Sequence, residues 1–173
     1  MASGAAGALA HAYRAVTKPG DEILTFAPYF PEYNPYVNLT GAVLKVVPPD
    51  TESFQINFNA FEEMLGEKVM AVLINTPNNP SGIVYSEETI RRLADILKRK
   101  EQEYGHDIFI ISDEPYREIV FAGVKAPYVS RYYANTISCY SYSKSLSLPG
   151  ERIGYVAVNP CLLYTSPSPR DCS

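Results

Sequence analysis

Tryptophan is absent from the 173 residues, and cysteine, methionine and histidine are scarce, at three, three and two. The three cysteines, Cys139, Cys161 and Cys172, have no metal-like spacing and are too few for a disulfide framework. Neither a zinc module nor a disulfide-stapled secreted fold is therefore indicated. Basic residues are not in excess: 15 Lys and Arg stand against 19 Asp and Glu, a net charge of −4. That balance argues against nucleic acid or an anionic membrane as the main partner. No apolar run is long enough for a membrane span, and the opening MASGAAGALAHAY lacks the basic start of a signal peptide. The expected compartment is the cytoplasm. What remains is ordinary globular composition, 46% apolar and 20% charged, at a length that suits one domain with a real core.

Helical spacing of Leu9, Tyr13 and Val16 predicts a helix over Gly4 to Val16, stopped by Lys18-Pro19-Gly20. Apolar runs at 22–26, 42–47, 69–75, 108–111, 136–141 and 152–158 read as strands, the third apolar nearly throughout, as a strand buried on both faces should be. Phe58 to Leu65 reads as a short helix. Ser86 looks like an N-cap, with Glu87 and Glu88 in the first turn, Ile90, Leu93 and Leu97 on the inner face, and Lys98, Arg99 and Lys100 near the far end. The order is helix, strand, helix, strand, loop and helix, strand, helix, then three strands. Such alternation predicts an α/β fold, a three-layer α/β/α sandwich with a mostly parallel sheet.

The chemistry-bearing residues fall at strand ends and helix starts, where ligands bind in open α/β sheets. Gly4, Ala5 and Ala6 leave backbone N–H groups bare at a helix entry, either as an anion seat or as a small, frayed terminus. Phe30, between Pro28 and Pro31, could stack on a flat ligand or pack on the domain surface. Thr76-Pro77-Asn78-Asn79-Pro80-Ser81-Gly82 fixes a sharp turn with amides pointing outward. Asp113 and Glu114 leave a buried strand as holders of a cation or protonated ring nitrogen, or as an acidic turn. The segment SCYSYSKSLSLPGERIGY (138–155) carries Lys144 among hydroxylic residues, with Arg152 eight positions on. A solvated lysine and a reactive one are both open there, since an amine of lowered pKa can form a Schiff base.

Taken together, NTPNNPSG, SDEPY and SYSKSLSLPGERIGY resemble the signatures of class I/II aminotransferases, the fold-type I enzymes that use pyridoxal 5′-phosphate. The resemblance runs in order from about Ser3 to Pro160. It implies that Lys144 is the Schiff-base lysine and general acid/base, and that Asp113 pairs with the pyridine nitrogen. It further implies that Asn79 and Tyr116 hydrogen-bond the phenolic oxygen and that Phe30 stacks on the ring. The phosphate falls to the amides of Gly4, Ala5 and Ala6 with Ser141 and Arg152, whose planar fork suits it. The implied partners are amino-acid and 2-oxo-acid substrates, with a homodimer for the full-length enzyme.

Members of that family are roughly twice this length. The resemblance therefore implies a fragment, truncated at both ends and inactive by itself: a partial large domain over 1–160, without the small domain and its substrate-carboxylate arginine. Residues 161–173 (CLLYTSPSPRDCS) lack periodicity and are expected to be a non-native tail. A carbon–sulfur lyase of the same fold is the alternative enzyme, and a pyridoxal-phosphate-binding sensory module the non-enzymatic one. A dinucleotide-binding domain ranks below both, because no GxGxxG follows a strand.

Overall fold

The alternation of apolar and amphipathic stretches becomes a layered α/β fold in the computed structural model, which describes residues 1–121 and 123–159. Its elements are β1 (Ala2–Ser3), α1 (Gly4–Val16), β2 (Glu22–Phe26), α2 (Tyr33–Asn38), β3 (Val43–Val47), α3 (Phe58–Met64), β4 (Val69–Asn75), α4 (Glu87–Tyr104), β5 (Phe109–Asp113), β6 (Thr136–Ser141), α5 (Tyr142–Ser145) and β7 (Ile153–Val158). One sheet holds all seven strands in the order β1-β7-β6-β5-β4-β2-β3. β2 to β6 pair in parallel, while β7 is antiparallel to both β6 and β1.

Strand residues alternate between two cores, which makes the three layers. Leu24, Val72, Ile74 and Ile110 pack with Phe61 of α3 and with Ile90, Leu93 and Leu97 of α4. Their neighbours Ile23, Ala71, Leu73 and Ile111 pack on the other face with Leu9 and Tyr13 of α1 and Tyr33 and Val37 of α2. That is the period-2 arrangement of a sheet covered on both sides. Ser86 caps α4 by accepting from Thr89 N at 3.0 Å. The helix runs a turn beyond Lys98–Lys100 and stops at Gly105, whose φ of 73° is the left-handed conformation that glycine adopts freely. The basic run therefore lies inside the helix rather than at its last turn. The expected domain limit near 160 and the tail 161–173 lie outside the described residues.

The far end of α4 is tied to the sheet by one side chain. The Glu101 carboxylate gathers the backbone N–H of Ile108 at 2.9 Å, the amide of Asn135 at 2.7 Å and the hydroxyl of Tyr133 at 2.7 Å. It thereby fixes the entries to β5 and β6. Glu101→Ala leaves all three donors without that acceptor and is expected to cost about 2–4 kcal/mol. The check is the urea midpoint of unfolding, which should fall; an unchanged midpoint would remove the carboxylate from this role.

Candidate active site

The carboxyl ends of β4, β5 and β6 and the amino end of α1 converge on one cavity of about 330 Å³. Parallel strands released from their ladder at the same edge leave a crevice there. Nine of the ten residues singled out from sequence line it: Ala5, Ala6, Phe30, Asn79, Asp113, Tyr116, Ser141, Lys144 and Arg152. Gly4 stands directly behind the wall. Its φ is 66°, and a Cβ there would lie 2.7 Å from Nη2 of Arg152. A Cβ on Gly154 of β7 would sit 2.4 Å from the Tyr140 carbonyl and 2.9 Å from the Gly4 backbone. These two glycines let the start of α1 and the Arg152 guanidinium come together at one end of the cavity.

Asp113 forms its floor. The carboxyl is 5% exposed, and its Oδ2 accepts from the Tyr33 hydroxyl at 2.5 Å. Its Oδ1 is buried without a hydrogen-bond partner. Burial, helped by the neighbouring Glu114 and opposed by the Tyr33 hydrogen bond, raises the carboxyl to about 7. A buried carboxylate with one oxygen unpartnered is costly in an apolar surround and becomes favourable once a cationic N–H reaches it. The adjoining carboxylate behaves differently. Glu114 is ion-paired with Arg117 and accepts from Ser138 Oγ at 3.2 Å. Of the two acids at this strand end, only Asp113 faces the cavity.

In the same cavity, Asn79 and Tyr116 stand side by side. Desolvation raises the Tyr116 phenol most, Asp113 raises it further, and the Asn79 side chain opposes both. Phe30 packs edge-on to Tyr33, with ring centroids 5.6 Å apart and planes at 78°. Its ring is thus held by a neighbour three residues on, at the start of α2. Ser141 ends β6 and caps α5, accepting from Ser143 N at 3.0 Å. Lys144, in α5, is exposed and places Nζ 5.8 Å from the centroid of the Tyr116 ring. No carboxylate among the described residues pairs with it, so the amine is not tied up in an ion pair.

The sequence reading missed other residues of the cavity wall, among them Tyr33, Asn75, Ser143, Glu32 and Tyr36. Two of them carried a signal. Tyr33 lies three residues beyond Phe30, and Asn75 is the one polar residue ending an otherwise apolar strand. A larger, shallow recess between α3 and α4 is instead a solvent-facing set of ion pairs, Arg91–Glu87 and Arg99–Glu62.

These residues suit pyridoxal 5′-phosphate. The orphaned Asp113 oxygen matches a ring N–H⁺, the Gly4 cradle and Arg152 match a phosphate, and a lysine amine outside any ion pair lines the same cavity. Comparison with known proteins agrees. The model of the family "Aminotransferase class I and II" matches residues 1–165, so the chain belongs to that family, whose members generally depend on this cofactor. Aminotransferases act on amino acids and 2-oxo acids and are usually dimeric. A crystal structure of an amino transferase from Eubacterium rectale superposes with a TM-score of 0.87 at 61% identity, covering 88% of this chain and 39% of that one. The chain is 35% identical to an aspartate aminotransferase of Thermotoga maritima, over 90% of its own length and 41% of the relative's. A probable N-acetyl-LL-diaminopimelate aminotransferase of Bacillus subtilis is 31% identical, with 90% and 38% covered. The chain thus spans about two-fifths of the length of the relatives it matches. None of these relatives is a lyase. No helix among the described residues is long and apolar enough to cross a membrane.

Proposed function

We propose that this chain is the cofactor-seating core of a pyridoxal-phosphate-dependent aminotransferase, which moves an amino group between an amino acid and a 2-oxo acid. Residues 1–160 then belong to its large domain, the whole enzyme is a cytoplasmic homodimer, and this segment alone does not turn over. The observation that carries the reading is Asp113, a buried carboxyl with an unpartnered Oδ1 in the same cavity as a free lysine and an arginine. Bound there, the cofactor would supply a ring that withdraws electrons from the substrate's Cα.

Each residue has a task that its chemistry fits. Asp113 would hold a proton on the ring nitrogen, and Asn79 and Tyr116 would donate to the phenolic oxygen. Phe30 would cover a ring face. The α1 amides with Ser141 and Arg152 bind the phosphate, the arginine through paired, charge-assisted bonds. Lys144 would hold the cofactor through its amine, and that amine, once the substrate's own amine has displaced it, would accept the Cα proton and return one.

The test is direct. The chain is titrated with pyridoxal phosphate, reduced with borohydride and digested. A visible absorption band and a label on the peptide holding Lys144 are expected. Labelling spread over the surface lysines, with no band, would defeat the proposal.

A further inference from the structure

The side chain of Asn75 joins the end of the strand that carries Asp113 to the loop that carries Asn79. From this juxtaposition we infer that Asn75 is a positioning residue that sets the spacing between Asp113 and Asn79; the inference rests on the cofactor reading above.

Asn75 is the last residue of β4 and pairs in register with Asp113, the last residue of β5. Beyond that point the ladder ends, and among the described residues no backbone hydrogen bond joins the two ends. Asn75 supplies the missing rung. It is 4% exposed, and its Nδ2 donates to the Asp113 carbonyl at 2.9 Å. Its Oδ1 accepts from the backbone N–H of Asn79 at 2.6 Å. The partners dictate the amide's orientation, because a carbonyl needs a donor and an N–H needs an acceptor. Both ends of one planar group are thus committed, one to the strand that carries the floor acid and the other to the loop that carries Asn79.

That geometry has a chemical consequence. Asp113 is assigned to one edge of the cofactor ring, and Asn79 with Tyr116 to another. A rigid ring meets both only if their separation is held to a fraction of an ångström. Glutamine would be one methylene too long and serine too short to span both partners. Aspartate keeps the size and the acceptor for Asn79 N, but turns the donor into an oxygen facing the Asp113 carbonyl. Asn75 touches no reacting atom in this scheme, so its influence passes through Asp113 and Asn79.

The test compares wild type with Asn75→Ala and Asn75→Asp, using two probes. Pyridoxal phosphate reports the whole cavity, and inorganic phosphate, as its competitor, reports only the α1 and Arg152 end. Both variants are expected to bind pyridoxal phosphate about tenfold or more weakly, with phosphate affinity within twofold of wild type. The pH midpoint of the bound cofactor's absorption change should also move, because Asn79 and Tyr116 no longer meet the ring oxygen squarely. A residue that merely supported the fold would weaken both probes together and leave the midpoint in place, and that result would overturn the inference. If alanine fails to fold, the aspartate variant decides by the same criteria. Failure of wild type to bind pyridoxal phosphate would instead refute the cofactor reading, so the two failures are distinct.

Discussion

Alanine at position 144 is expected to abolish covalent attachment of pyridoxal phosphate altogether. In a full-length aminotransferase containing this segment, turnover should fall by about 10²–10⁴-fold or more, the range lost with a positioned acid/base. The expectation follows from where the side chain stands. α5 is a single turn between β6 and β7, capped by Ser141, and it holds the amine at the cavity's edge beside Tyr116. No other lysine among the described residues lines the cavity. Lys144→Arg is the informative partner variant, because it keeps the charge but cannot form a carbon–nitrogen double bond with an aldehyde. Equal loss in both variants assigns the role to the amine's nucleophilicity and proton transfer, not to its charge. A surviving band with the label on another peptide would move the role elsewhere.

Asp113→Asn carries the second large effect, an expected fall in full-length turnover of about 10²–10³-fold, the scale of removing one preorganised electrostatic partner. Asparagine matches the shape and can still accept from Tyr33, so the change isolates the negative charge. Binding should weaken less than turnover, because the phosphate end, Phe30 and Lys144 are untouched. Unchanged turnover would mean that the carboxylate is not the partner of a ring cation.

Much of this fold was legible because the signals are local. α1, β2, β4 and β6 begin and end where the sequence places them, with apolar blocks marking the strands and prolines following α1, β2 and β4. β1 and α5 were not legible, since two residues and four residues hold no periodicity. α2 was expected only as a helix in the order, its limits hidden by Pro35, which is tolerated in a first turn. The candidate site divides the same way. Lys144, Asp113 and Asn79 sit in motifs. Tyr33 and Asn75 act on Asp113 from 80 and 38 residues away, contacts that only the folded sheet creates. The Glu114–Arg117 pair shows the converse, a neighbouring acid in the same motif that the fold satisfies internally.

The central claim is that the buried Asp113 carboxylate keeps one oxygen, Oδ1, unpartnered for a cationic ring. Its cost should be measurable without cofactor. With its pKa raised from the usual 3.8 to about 7, this acid favours folding when protonated and loses that contribution as pH rises between those values. The loss is on the order of 4 kcal/mol for a shift of about three pH units. The deciding measurement is therefore the urea stability of wild type and Asp113→Asn at pH 8, each with and without pyridoxal phosphate. Without cofactor the asparagine variant should be the more stable, and the gap should close toward pH 4. With cofactor wild type should gain more, because binding to the folded state stabilises by an amount that rises with the logarithm of affinity. Equal stability of the two proteins at pH 8, with equal gains on adding cofactor, would contradict the account.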